Sequence, residues 1–122
     1  MKQGNINRAY PSLLKLRDFN LPVKKAYAIY KLSVCVENAH EFAAEEERKY
    51  LADYNGSISD DGNTISFETP TDCAAFRDKV EELCNVDVDI EIEPVLLTED
   101  DLGEQRLTPA DIFNLEGFVT FA

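Results

Sequence analysis

The feature that most constrains this sequence is a run of 33 residues, 22–54, that opens with proline and then contains neither proline nor glycine until Gly56. Proline is favoured in the first turn of a helix, and Asn-Gly is a common helix stop. The run therefore predicts one long helix over residues 22–54, about 50 Å in length at about 1.5 Å per residue. Its predicted inward stripe is Ile29, Leu32, Val36, Ala39, Ala43 and Tyr50, flanked by Tyr27, Tyr30, Phe42 and Leu51.

A helix of this length exceeds the body that 122 residues can form. A compact chain of this size has a radius of gyration of about 14 Å, and hence a diameter of about 35 Å. We therefore expect the later end of the helix to project and to form a protein contact, since its apolar side chains stand among charged ones. The binding residues predicted there are Phe42, Tyr50, Leu51 and Tyr54. The alternatives are a kink near Ser33 or Asn38, or coverage of the helix by the first helix and residues 70–84.

The remaining patterns predict an α+β fold in a single domain, residues 1–122. A helix is expected over residues 6–19, with Pro11 in its first turn. Two short strands, 57–59 and 64–67, should form a hairpin around residues 60–63. A further helix is predicted from the TPTD capping sequence at 69–72, a helical turn at 98–101, and a last helix capped by TPAD at 108–111.

Residues 86–93 (VDVDIEIE) alternate apolar and acidic side chains without exception and predict an amphipathic strand. Val86, Val88, Ile90 and Ile92 would be buried, and the opposite face would be acidic. Its carboxylates would repeat every 6.7 Å or so, close to about 6.8 Å for two phosphate steps of a nucleic-acid strand. These carboxylates are the second set of predicted binding residues, for a basic partner: Asp87, Asp89, Glu91 and Glu93. The simpler alternative is a one-sided sheet with its polar face in water.

The net charge of −12 is unevenly distributed along the chain. Residues 1–31 hold seven basic residues against Asp18 alone, a net charge of +6, whereas residues 32–122 hold five basic and 23 acidic residues. This acidity argues against direct nucleic-acid binding, which requires Lys and Arg at the phosphates. The basic end could dock on the acidic body of another copy or lie over the acidic body of its own chain.

Motifs for catalysis, metal or phosphate binding do not emerge. His40 is the single histidine, and Ala44 stands where a zinc-protease H-E-x-x-H motif needs its second one. We therefore expect a solvated helical histidine, no enzyme activity and no cofactor. Cys35, Cys73 and Cys84 have no C-x-x-C spacing and fall in helical contexts, which favours reduced thiols. No signal peptide or membrane span is predicted.

Several short stretches together resemble small uncharacterised proteins encoded by tailed bacteriophages and prophages. They are LPVKKAY at 21–27, KL at 31–32, EER at 46–48, LTPADI at 107–112 and LEGF at 115–118. The resemblance implies a non-enzymatic accessory protein in the host cytoplasm or the virion, with a structural or assembly role and no catalytic residues.

Two functions are therefore open. The first is a homo-oligomer, or a complex with another phage protein. The second is an acidic nucleic-acid mimic that inhibits a host defence nuclease, as anti-CRISPR proteins do.

Overall fold

The computed structural model describes all 122 residues, and its framework is a pair of antiparallel helices. Helix α1 spans Gln3–Arg17 and helix α2 spans Val23–Asp53. Gln3 Nε2 donates to Ala39 O at one end of the pair, and the Arg17 guanidinium lies over the Tyr30 ring at the other. The prediction of one long helix is confirmed, and the kinked alternative is wrong, because α2 is unbroken over 31 residues.

Helix α1 begins earlier than its sequence signals predict. Pro11 lies inside α1 and not in its first turn, so that prediction is wrong. The reason is a long-range contact: Gln3 N donates to Val86 O at 2.9 Å, and Val88 N donates to Met1 O at 2.7 Å. These bonds hold the first residues in place, so the helix can start at Gln3.

The main core lies between α1, the first half of α2 and the C-terminal quarter of the chain. Apolar side chains along one face of α1 interlock with those of α2, as their three- and four-residue spacing predicts. This core comprises Ile6, Ala9, Leu13, Leu16, Ile29, Leu32, Val36, Val95, Leu97, Leu115, Phe118 and Val119. Because the two ends of the chain contribute to one core, the basic first helix packs directly on the acidic C-terminal part.

The later half of α2 is covered by the elements that follow it. Helix α2 ends in a Schellman motif, in which Gly56 N donates to Leu51 O at 2.8 Å and Asn55 takes a left-handed φ of 56°. An antiparallel hairpin of β1 (Ser57–Ile58) and β2 (Ile65–Ser66) follows, and then α3 (Pro70–Cys84), capped by Thr69. Helix α3 packs against both α1 and α2. The predicted hairpin and helix are confirmed.

The chain closes with short elements. These are β3 (Val95–Leu97), α4 (Glu99–Leu102), α5 (Pro109–Asn114) and β4 (Val119–Phe121). Strands β3 and β4 pair in parallel, with Val95 opposite Val119 and Leu97 opposite Phe121. Capping boxes form at α4 and α5, where Thr98 pairs with Asp101 and Thr108 with Asp111. The α+β class is confirmed, whereas the pairing of β3 with β4 was not predicted from the sequence.

The prediction of a strand over residues 86–93 is wrong. Its only pairing is an isolated antiparallel bridge between Asp87 and Lys2, because the chain turns into α1 directly after residue 2. Strand β4 pairs with the chain only from Val95 onward, so it provides no second partner for residues 86–93. The alternation does describe the burial: Val88, Ile90 and Ile92 are half-buried against the core. Val86, predicted to be buried, is 45% exposed.

Candidate binding surfaces

The outward face of the first half of α2 carries four apolar or aromatic side chains that remain exposed in the folded chain. They follow spacings of four, three and four residues, so they line up along one side of the helix. We call them the α2 row: Val23, Tyr27, Tyr30 and Val34, which are 85%, 62%, 52% and 37% exposed. An apolar row of this length on a helix surface is typical of a protein-binding face.

Cations border the α2 row on both sides. The Arg17 guanidinium carbon lies 5.9 Å from the centre of the Tyr30 ring, and Lys31 Nζ lies 5.5 Å from that of Tyr27. Lys24 follows Val23 at the helix start, and α2 has no acidic residue in its first turn. The row therefore has an aromatic centre and a basic rim.

The four binding residues predicted at the later end of α2 do not share one environment. Phe42 is 52% exposed, whereas Tyr50, Leu51 and Tyr54 are half-buried. A Cβ atom placed on Gly56 would lie 2.3 Å from Leu51 Cδ1, so Leu51 packs closely on the end of its own helix. Burial, and next the charge of Glu46, raise the pKa of the Tyr50 hydroxyl. Phe42 is thus the most accessible of the four.

The other four predicted binding residues are all at the surface. Asp87, Asp89, Glu91 and Glu93 are exposed, and none of them belongs to an ion pair. They lie outside any sheet, but exposed and half-buried side chains alternate over residues 87–93 as they do in an extended chain, with the apolar neighbours turned inward. The structure places this acidic segment beside residues 25–35 of α2, with which residues 91–96 line a groove.

His40 is a packing residue and not a solvated one, so the prediction for it is wrong. Its ring stacks on Tyr10 with centroids 4.3 Å apart, and its Nδ1 lies 3.3 Å from Asn7 Oδ1. Asn7 Oδ1 also accepts a hydrogen bond from the fully buried Gln3. The side chain of His40 therefore helps to fix α2 against α1.

The remaining reactive groups are dispersed. Cys35, Cys73 and Cys84 are half-buried free thiols on helices, and burial raises the pKa of Cys84. No group of three or more metal-ligating side chains comes together. None of the helices has the combination of length and apolar character that crossing a membrane requires.

The α2 row was not predicted from the sequence, because Tyr27 and Tyr30 were assigned to the flanks of the inward stripe. The signal available in the sequence is the spacing of Val23, Tyr27, Tyr30 and Val34, which defines a second apolar stripe on the same helix.

Comparison with protein-family models, curated proteins and solved structures found no match.

Proposed function

We propose that this chain is a non-enzymatic accessory protein of a tailed bacteriophage or prophage that acts through protein–protein contacts in a virion-structural or assembly role. The phage origin rests on the stretches described above. The mode of action rests on one observation, the exposed α2 row with its basic rim. Aromatic residues and arginine are the side chains most enriched at the centres of protein interfaces.

The partner that best fits this row is a second copy of the same chain. The rim of the row is basic, and residues 32–122 carry 23 acidic residues against five basic ones. A copy therefore offers a negative surface to the positive one, which favours association and sets its orientation. A contact between two different surfaces of the same chain is heterologous, and it builds rings or filaments. Such assemblies suit a structural role in a virion.

Sedimentation velocity over a concentration series tests this proposal. The parent is expected to sediment above its monomer mass of 13.8 kDa, with weaker association as salt rises. The double variant Tyr27→Glu/Tyr30→Glu should sediment as a monomer with unchanged helical content, because both rings are exposed. Phe42→Glu makes the same kind of substitution at the later end of α2, so it is the matched comparison for the double variant in the α2 row. A parent that is monomeric at every concentration would contradict self-assembly.

The acidic segment supports a second candidate function, a nucleic-acid mimic that occupies the basic groove of a host defence nuclease. The supporting observation is that its four exposed carboxylates have no ion-pair partner within the chain. This function predicts that Asp89→Asn/Glu91→Gln weakens nuclease inhibition while Tyr27→Glu/Tyr30→Glu does not. The opposite pattern would assign the activity to the α2 row.

A further inference from the structure

The backbone of residues 89–93 makes no backbone–backbone hydrogen bond, although the chain on both sides of it is paired. Before it, Val88 N donates to Met1 O, and after it, Val95 N donates to Phe118 O at 3.0 Å. Backbone N–H and C=O groups in folded proteins are nearly always paired, and an unpaired extended edge is a template for another strand. Residues 89–93 therefore form a short open edge.

The direction of this edge follows from the alternation of an extended chain. The backbone groups of successive residues point to opposite sides. The backbone groups of Val86 and Val88 bond to those of Gln3 and Met1. The backbone groups of Asp89, Glu91 and Glu93 therefore point to the opposite side of the segment. In agreement with this, Cys35 Sγ on α2 lies 4.0 Å from Glu91 O. Glu91 O accepts this weak hydrogen bond from α2, and the other backbone groups on this side of residues 89–93 face the same space without a backbone partner.

That space is a groove of about 530 Å³ between α2 and residues 91–96. Its apolar lining includes Ala28 and Leu32 from α2, and Ile92 and Val95 from the opposite side. At one end, Lys25 Nζ donates to Leu96 O, where a neighbouring strand would supply a backbone N–H. The groove therefore combines free backbone groups with apolar contacts, the two requirements for binding a peptide by strand addition.

The charges along the groove favour a basic occupant. Lys25 is engaged by Leu96 O and lies 3.9 Å from Asp101, and Lys31 lies over the Tyr27 ring. Glu91 and Glu93 have no such partners, and Asp87 and Asp89 continue the same charge along the segment. The carboxylates along this segment are therefore without an ion-pair partner in the chain, and Lys31 is the one lining cation that is also without one. Opposite charges on neighbouring strands stabilise their pairing.

We propose that this groove binds a basic extended segment of a partner protein by strand addition along residues 89–93. Apolar side chains of the added strand would enter the groove, and the alternate basic ones would pair with Glu91 and Glu93. None of the four residues of the α2 row lines this groove, and only Lys31 borders both surfaces, so the inference does not depend on the self-assembly proposed above.

A labelled heptapeptide of alternating lysine and valine tests the proposal by fluorescence anisotropy with the full chain. Binding is expected, and N-methylation of the four central amides should weaken it about tenfold or more, since each lost hydrogen bond is worth about 1 kcal/mol. Glu91→Pro should cause a similar loss, because proline removes a free N–H that the fold itself does not use. Glu91→Gln, which keeps the N–H, is the matched control and should lose only the salt-dependent part of the affinity.

Three results would overturn the inference. The first is the absence of binding to the parent. The second is equal binding of the N-methylated peptide, which would reduce the interaction to attraction between opposite charges. The third is self-association of the parent that Glu91→Pro abolishes, which would make a second copy the occupant. If Glu91→Pro lowers the melting temperature, its loss of peptide binding could come from unfolding. The comparison of the unmodified and N-methylated peptides with the parent chain then tests strand addition. Equal peptide binding by Tyr27→Glu/Tyr30→Glu would show that this groove and the α2 row are independent.

Discussion

Asp111 is the carboxylate on which the docking of α5 against α1 depends. It accepts hydrogen bonds from Ser12 Oγ at 2.9 Å and from Lys15 Nζ at 2.7 Å, and it completes the capping box with Thr108. Because Ser12 is only 2% exposed, removal of the carboxylate would leave a buried hydroxyl without its acceptor. Asp111→Ala therefore removes a cap and a tertiary contact at once.

The expected loss can be estimated from these contacts. Loss of the cap costs about 1 kcal/mol, and the unsatisfied Ser12 hydroxyl about 1 kcal/mol more. The Lys15 side chain is 41% exposed, so solvent screening limits its ion pair to about 0.5 kcal/mol. Asp111→Ala should therefore lower the free energy of unfolding by about 2–3 kcal/mol and the melting temperature by about 10 °C.

Asp101→Ala is the matched control, measured by urea denaturation beside Asp111→Ala. Asp101 completes an equivalent capping box with Thr98, but its tertiary contact is only Lys25 Nζ at 3.9 Å. Its replacement should cost about 1 kcal/mol. Equal losses for the two variants would refute the claim that Asp111 fixes α5 to α1.

The same contacts predict a pH dependence. The Lys15 ammonium, followed by the hydrogen bonds from Thr108 and Ser12, holds the pKa of Asp111 well below its ordinary value. A lowered pKa in the folded state stabilises the protein above the unfolded pKa of about 3.9, and this stabilisation is lost as the pH falls towards the folded value. The difference in stability between the parent and Asp111→Asn should therefore be constant above about pH 5 and shrink below about pH 4. A difference that persists unchanged to pH 2 would contradict it.

Three further variants test other parts of the structure by thermal denaturation. Asp89→Asn/Glu91→Gln should melt at or above the parent temperature, because both carboxylates are exposed and unpaired. A large drop in melting temperature would show that these carboxylates are buried or paired. Gly56→Ala should cost about 1–3 kcal/mol through its clash with Leu51, and the cost should fall in a Leu51→Ala background. His40→Ala should cost about 1 kcal/mol by loss of its ring stacking, and a neutral effect would contradict its role in packing.

The helices could be predicted because their signals are local. The absence of glycine and proline over residues 23–54 leaves α2 unbroken, and the threonine caps at 69, 98 and 108 mark the helix starts that the structure shows. Each of these signals acts within one or two turns of the chain, so no knowledge of distant partners is required.

The acidic segment could not be predicted as a strand for the opposite reason. Alternation reports which side chains face the core, and Val88, Ile90 and Ile92 do so. A strand also needs a partner backbone, and the one available here ends at residue 3, where α1 begins. The pairing of β3 with β4 joins residues 24 positions apart over three residues each, and nothing in so short a pattern identifies the partner.

The candidate site depends on which apolar stripe of α2 is covered. The predicted inward positions Ile29, Leu32 and Val36 are indeed buried. Only the position of α1 shows that Tyr27 and Tyr30, which were predicted to flank them, remain exposed. Sequence patterns alone therefore direct attention to the later end of α2 and away from its first half.

Photo-crosslinking from the α2 row tests most directly whether this surface binds a second copy. Benzoylphenylalanine placed at position 27 or 30 should give a covalent dimer, joined to peptides from residues 32–122 of the other copy. The matched control is position 58, since Ile58 is 54% exposed, close to the values for Tyr27 and Tyr30. The account predicts dimer from positions 27 and 30 and little from 58. Equal yields from all three positions, or no dimer from the row, would contradict it.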